Sequence, residues 1–124
     1  VFTPGHTRGC TSFLTRDTNK GVERSVFFLG SLSVAGNRLI NNKLDPDIVA
    51  DYRKSFARVK AVQADILLIG HPPFIQFEDK YRAQQQGKQD AFVDPSLLPG
   101  FVAYAETAFD KELAKQQAEQ KPSR

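Results

Sequence analysis

Two histidines are the residues of this chain best suited to chemistry, and both fall in loops rather than in periodic segments. His6 lies in Phe2-Thr3-Pro4-Gly5-His6-Thr7-Arg8-Gly9-Cys10-Thr11-Ser12, where Pro4 fixes one backbone angle and Gly5 and Gly9 permit conformations a side chain would forbid. His71 stands in Ile69-Gly70-His71-Pro72, and a third turn, Leu29-Gly30-Ser31-Leu32-Ser33, brings two hydroxyls to the end of another apolar run. Taken singly, either histidine is better read as a hydrogen-bonded loop residue. Two of them, each after a glycine where an apolar run ends, favour metal ligation, because neutral imidazole is the commonest metal ligand and rigid sheets hold functional groups on such loops. They do not complete a site. A catalytic zinc takes about three protein ligands and a water, and acids such as Asp47, Asp51 and Glu106 have no evident route to these loops.

The elements that must position these loops follow from pattern. Val1 to Thr3 reads as the end of a strand that begins upstream. Residues 10–16 are rich in β-formers, Asp17 to Gly21 is turn chemistry, and Val22 to Leu29 returns as a second strand with a nearly continuous apolar end. Such continuity predicts cover on both faces. Gly30 to Leu44 is a loop, with Arg38 to Ile40 at most a short strand. Asp45 is a good N-cap, Pro46 suits the first helical position, and Asp47 complements the helix dipole. Ile48, Tyr52, Phe56 and Val59 then form one apolar stripe to about Val62. Asp65 to Ile69 is a short buried strand that Gly70, Pro72 and Pro73 stop. Phe77 to Gln86 makes a polar helix closed by Gly87. A last helix opens near Pro95 or Pro99, carries Val102, Ala105, Phe109 and Leu113, and runs to about Glu119, with Gln120 onward frayed. The order of hairpin, helix, strand and helix predicts an α/β sheet with helices on one face and a second face that also needs cover.

Composition narrows the classes further. A chain of 124 residues with 40% hydrophobic residues suits one small domain with a modest core. A net charge of +3, with Lys and Arg scattered among acids, calls for neither nucleic acid nor an anionic membrane. No apolar run is long enough to span a bilayer, and no secretory signal is present in a sequence that starts at Val1. Cys10 is the only cysteine, which excludes an internal disulfide and a four-cysteine zinc site; it reads as a small buried apolar residue on a strand.

Four stretches, in order, carry a resemblance. They are Thr3-Pro4-Gly5-His6-Thr7-Arg8-Gly9-Cys10-Thr11-Ser12, Gly30-Ser31-Leu32-Ser33, Ile48-Val49-Ala50-Asp51-Tyr52-Arg53-Lys54-Ser55-Phe56-Ala57 and Asp65-Ile66-Leu67-Leu68-Ile69-Gly70-His71-Pro72. Together they resemble the C-terminal half of a metallo-β-lactamase of subclass B3, and Phe92-Val93-Asp94-Pro95 with the closing helix continues the likeness. Gly-His-Thr marks only the wider superfamily, whereas Ser-Leu-Ser with Asp-Tyr-Arg-x-Ser-Phe points to the subclass.

The resemblance implies that residues 1–124 are the C-terminal half of an αββα sandwich, with a His-x-His-x-Asp-His motif in a missing N-terminal half. It implies two zinc ions in the full-length enzyme, with His6 a ligand of the first and His71 of the second. Ser31, where relatives in other branches place a Cys or Asp ligand, would instead bind the substrate carboxylate together with Ser33. Thr7 would support His6 from beside it. No protein nucleophile is implied, since a zinc-held hydroxide attacks the lactam. The parent would be a periplasmic or secreted β-lactam hydrolase conferring antibiotic resistance, and the fragment alone would be inactive. Two other readings are a lactonase or thioesterase of the same fold, against which Ser31 in place of Asp argues, and a non-catalytic truncated remnant. Departures from the family pattern are Ala64, where many members carry a cysteine, Arg8 in place of a commoner proline, and a loosely fitting 37–44 loop.

Overall fold

A computed structural model describes residues 1–120. It contains strands β1 (Phe13–Asn19), β2 (Val22–Leu29) and β3 (Ile66–Ile69), helices α1 (Ile48–Lys60), α2 (Phe77–Gln85) and α3 (Leu97–Glu119), and a 3₁₀ turn at Pro72–Ile75. The sheet order is β1-β2-β3, antiparallel between β1 and β2 and parallel between β2 and β3. The expected hairpin is therefore present, shifted in register. Asp17, Thr18 and Asn19 pair with Arg24, Glu23 and Val22 instead of turning. Only Lys20 and Gly21 turn, both at positive φ (51° and 80°), the two-residue geometry that matches strand twist.

Strand alternation divides the sheet chemically. Phe27, Leu29 and Leu67 point to one face and join Ile48, Tyr52, Phe56 and Val59 of α1 and Leu98, Val102, Ala105 and Phe109 of α3 in a single core. Tyr52 and Phe109 approach with ring centroids 4.9 Å apart, and Phe109 meets Phe56 edge-on at 5.4 Å. On the opposite face Phe13, Val22 and Phe28 remain exposed, while Ile66 and Leu68 line a groove shared with Phe77 and Tyr81 of α2. Helices thus flank both faces, not one, and the second face is only partly covered.

Several boundaries differ from the sequence expectation for local reasons. Asp45 does not cap α1; its carboxylate pairs with Arg8 at 3.4 Å, and Asp47 takes the cap position without a side-chain bond. Residues 38–40 form no strand. The backbone N–H of Leu39 donates instead to Gln116 Oε1 of α3 at 2.7 Å. Asp65 lies just outside β3 and ties it to β2, its Oδ2 accepting from the Ser25 N–H at 2.9 Å and from the Ser25 hydroxyl at 3.2 Å. Those two bonds hold the Asp65 carboxyl below the usual carboxylate range, the backbone N–H contributing most. Pro99 falls in the first turn of α3, where no intrahelical N–H is needed. The expected fraying beyond Gln120 lies outside the described residues. No helix among the described residues is long and apolar enough to cross a membrane.

Candidate metal centre

The loop of residues 3–12 is a small hairpin-like clasp with little regular pairing beyond a bridge between Phe2 and Thr11. Buried polar side chains hold it instead. Thr3 and Ser12, both fully buried, share a 2.9 Å hydroxyl contact, and Ser12 Oγ accepts from the Gly30 N–H at 2.9 Å. Ser55 of α1, also fully buried, donates to the Pro4 carbonyl. Gly5 adopts φ +138°, and a Cβ there would lie 2.8 Å from the Tyr52 ring, so the chain passes flat over a core aromatic at the residue before His6. Cys10 is half-buried and lies outside the strands, contrary to the expectation of a strand residue. Its sulfur accepts from the Ser31 N–H at 3.3 Å and packs where any Cβ on Gly30 would stand.

His6 is fixed by this frame. Its Nδ1 lies 2.8 Å from the Ser33 carbonyl oxygen. A carbonyl can only accept, so Nδ1 carries a proton, and in the neutral ring Nε2 is then left with the lone pair that a metal takes. Ser33 Oγ lies 3.0 Å from Ser31 Oγ, and the Ser33 N–H also donates to Ser31 Oγ at 3.3 Å. The two serines anticipated as substrate contacts are thus neighbours of each other and of His6.

His71 reaches the same neighbourhood from β3. It precedes the 3₁₀ turn, is exposed, and stands edge-on to Phe74 with centroids 6.1 Å apart. With Ser31, Ser33, Phe74, Phe101 and Tyr104 it lines an open cavity of about 740 Å³. His6 touches that cavity's wall through Ser33. The hydroxyl of Thr7 makes no bond to His6 among the described residues; Thr7 shapes the loop through its carbonyl, which accepts from Gly5 at 3.0 Å and Cys10 at 3.3 Å. What braces His6 is a set that sequence reasoning did not single out for this role: Asn37 and Tyr52. Asn37 Nδ2 donates to the His6 carbonyl at 2.9 Å and to the Tyr52 hydroxyl at 3.1 Å, and that hydroxyl donates to the Ser33 carbonyl at 2.8 Å. A polar residue inside the apolar stripe of α1 was the available signal.

The donors fit zinc in kind and fall short in number. Neutral imidazoles are zinc ligands, yet the described residues contain no group of three or more His, Cys, Asp or Glu side chains that could hold a metal.

No protein-family model matches the chain. Solved structures do. The subclass B3 metallo-β-lactamase BJP-1 of Bradyrhizobium japonicum is 37% identical, with a TM-score of 0.90, over 97% of this chain and 46% of that one. A Cronobacter sakazakii metallo-β-lactamase with a HARLDQ motif is 38% identical at a TM-score of 0.86, over 95% of this chain and 44% of its own. FEZ-1 of Legionella gormanii, also a metallo-β-lactamase, is 32% identical at 0.89, over 94% and 45%. The chain therefore spans a little under half the length of each. With identities above 30% across nearly all of its length, the chain is similar to metallo-β-lactamases, BJP-1 of subclass B3 among them, and the stretch it shares with them has the metallo-β-lactamase fold.

Proposed function

We propose that this chain forms the C-terminal half of a zinc hydrolase that opens β-lactam rings, and that an N-terminal half bearing the remaining metal ligands completes it. The observation that carries the reading is the His6 imidazole, its Nδ1 turned to the Ser33 carbonyl at 2.8 Å and to the Ser33 hydroxyl at 3.3 Å, so that Nε2 is the nitrogen free for a metal. His6 would hold one zinc and His71 a second. The chemistry supplied by bound zinc is activation of water near neutral pH and polarisation of a carbonyl. The chain's own part is orientation. Ser31 and Ser33, linked at 3.0 Å, have hydroxyl protons to offer a substrate carboxylate, and Phe74, Phe101 and Tyr104 give the cavity an apolar wall.

The exposed sheet face, with Phe13 63% and Phe28 44% accessible, fits an αββα partner layer that this chain does not itself supply. A periplasmic or secreted parent is part of the same reading. The upstream motif decides the metal count. A parent with the full motif is expected to bind two zinc ions and to hydrolyse a chromogenic cephalosporin. Its Ser33→Ala variant should raise KM more than it lowers kcat. Turnover that survives exhaustive chelation would refute the zinc reading. The 124-residue chain alone should show neither a tight two-zinc isotherm nor turnover, and finding both would refute the division of ligands between halves.

A further inference from the structure

We propose that Tyr52 and Asn37 act together as positioning residues for His6, setting which of its ring nitrogens faces outward. This rests on the reading of His6 as a metal ligand but concerns groups that touch neither metal nor substrate. Tyr52 is fully buried between Phe56 and Phe109, so its ring has no freedom to follow a shifting loop. Its hydroxyl donates to the Ser33 carbonyl at 2.8 Å, the same oxygen that receives His6 Nδ1 at 2.8 Å. A carbonyl has two lone pairs, and both are taken.

Asn37 closes the circuit. Its amide has two protons, one donated to the Tyr52 hydroxyl and one to the carbonyl of His6 itself. Backbone and ring of His6 are therefore referred to one rigid phenol. Asn37 is pinned in turn: its N–H donates to the Val34 carbonyl at 2.9 Å, and its carbonyl accepts from Gln116 Nε2 of α3 at 3.1 Å. The Tyr52 ring also forms the floor under Gly5. One side chain thus supports the residue before His6, the His6 carbonyl through Asn37, and the acceptor opposite its ring.

A phenylalanine would preserve the packing and remove the circuit, which separates positioning from plain core structure. With only two histidines in the chain, nitrogen-15 spectra of the imidazoles resolve both rings, and exposed His71 serves as the internal reference. At a pH where both rings are neutral, wild-type His6 should be held as the Nδ1–H tautomer and His71 should show the free-solution mixture. Tyr52→Phe and, separately, Asn37→Ala should each lower the Nδ1–H to Nε2–H ratio of His6 by about fivefold, the scale of one hydrogen bond, with His71 unchanged. A wild-type His6 in the free mixture would overturn the inference, as would a folded variant whose ratio stays within about twofold of wild type. Zn²⁺ added in excess to a parent protein that carries the remaining ligands should perturb His6 Nε2. A silent Nε2 with the tautomer bias intact would defeat the ligand reading and leave the positioning role standing.

Discussion

Replacing Gly5 with alanine tests whether the clasp around His6 is built against the core or merely lies on it. Two costs add. The residue sits at φ +138°, where a non-glycine side chain carries backbone strain of about 1–3 kcal/mol. Its new Cβ would stand 2.8 Å from two carbons of the Tyr52 ring and 3.1 Å from a third, and overpacking of that kind costs about 1–3 kcal/mol. The ring cannot yield cheaply, because Phe109 lies 4.9 Å from its centroid and its hydroxyl is bound at both ends. The expected loss is about 2–6 kcal/mol, which at a urea slope of about 2 kcal/mol/M lowers the unfolding midpoint by about 1–3 M. Gly9→Ala is the matched control, since no atom stands within 4 Å of its Cβ and its φ is not positive. That change should be neutral or stabilising by up to about 1 kcal/mol. If the two variants unfold at midpoints within about 0.5 M of each other, the clasp does not rest on Tyr52 and the account of His6 placement fails with it.

Two further outcomes follow from ionisation. Burial raises the Tyr52 phenol above its usual value of 10.0, so the folded state holds this proton more tightly than the unfolded one. Its contribution to stability is whole below about pH 10 and lost as pH rises through the raised value. Melting curves taken upward from about pH 9 should show an alkaline decline that Tyr52→Phe reduces; an equal decline in the variant counts against this. Asp65 runs the other way. Its carboxyl is held low by the Ser25 N–H first and by the Ser25 hydroxyl and the Arg24 and Arg16 charges after it, so its contribution is present above the ordinary Asp range and is lost as pH falls through the lowered value. Asp65→Asn should flatten the acid limb of the stability profile, and an unchanged limb would mean the β2–β3 tie carries no such linkage.

Where an element's own residues specify it, the sequence was sufficient. The stripe of Ile48, Tyr52, Phe56 and Val59 is the core face of α1, and Gly87, at φ +100°, closes the region after α2 as its type suggests. Boundaries set by distant groups were not legible. Arg8 takes Asp45 from its expected capping role across the loop, and Gln116 of α3 supplies the partner that residues 38–40 would otherwise seek in a strand. The hairpin register failed for a different reason. Asp17, Thr18 and Asn19 all suit a turn, and only pairing with Arg24, Glu23 and Val22 reveals that the turn is Lys20-Gly21. At the site, His6, Ser31 and Ser33 stood out in the sequence by their place in turns and by the family resemblance, and the structure adds their direct contacts. The bracing pair was hidden because Tyr52 reads as an apolar-stripe residue and Asn37 as one more loop polar.

The site loops have few ladder bonds to stiffen them, yet a metal centre needs donors held to a fraction of an ångström. The chain meets that need with small buried polar side chains. Thr3 and Ser12 lock the clasp to Gly30, Ser55 locks it to α1, and Tyr52 with Asn37 joins clasp, serine turn and α3. Every buried side-chain nitrogen and oxygen among the described residues has a partner, so these groups stiffen the loops without the penalty of unpaired burial. Among the described residues His71 has no comparable brace: exposed, it meets Phe74 edge-on, and the 3₁₀ turn after it uses its carbonyl, not its ring. The two candidate ligands therefore differ in kind. The ring of His6 is held by hydrogen bonds within this chain, whereas the exposed ring of His71 lines the cavity with only the Phe74 edge beside it.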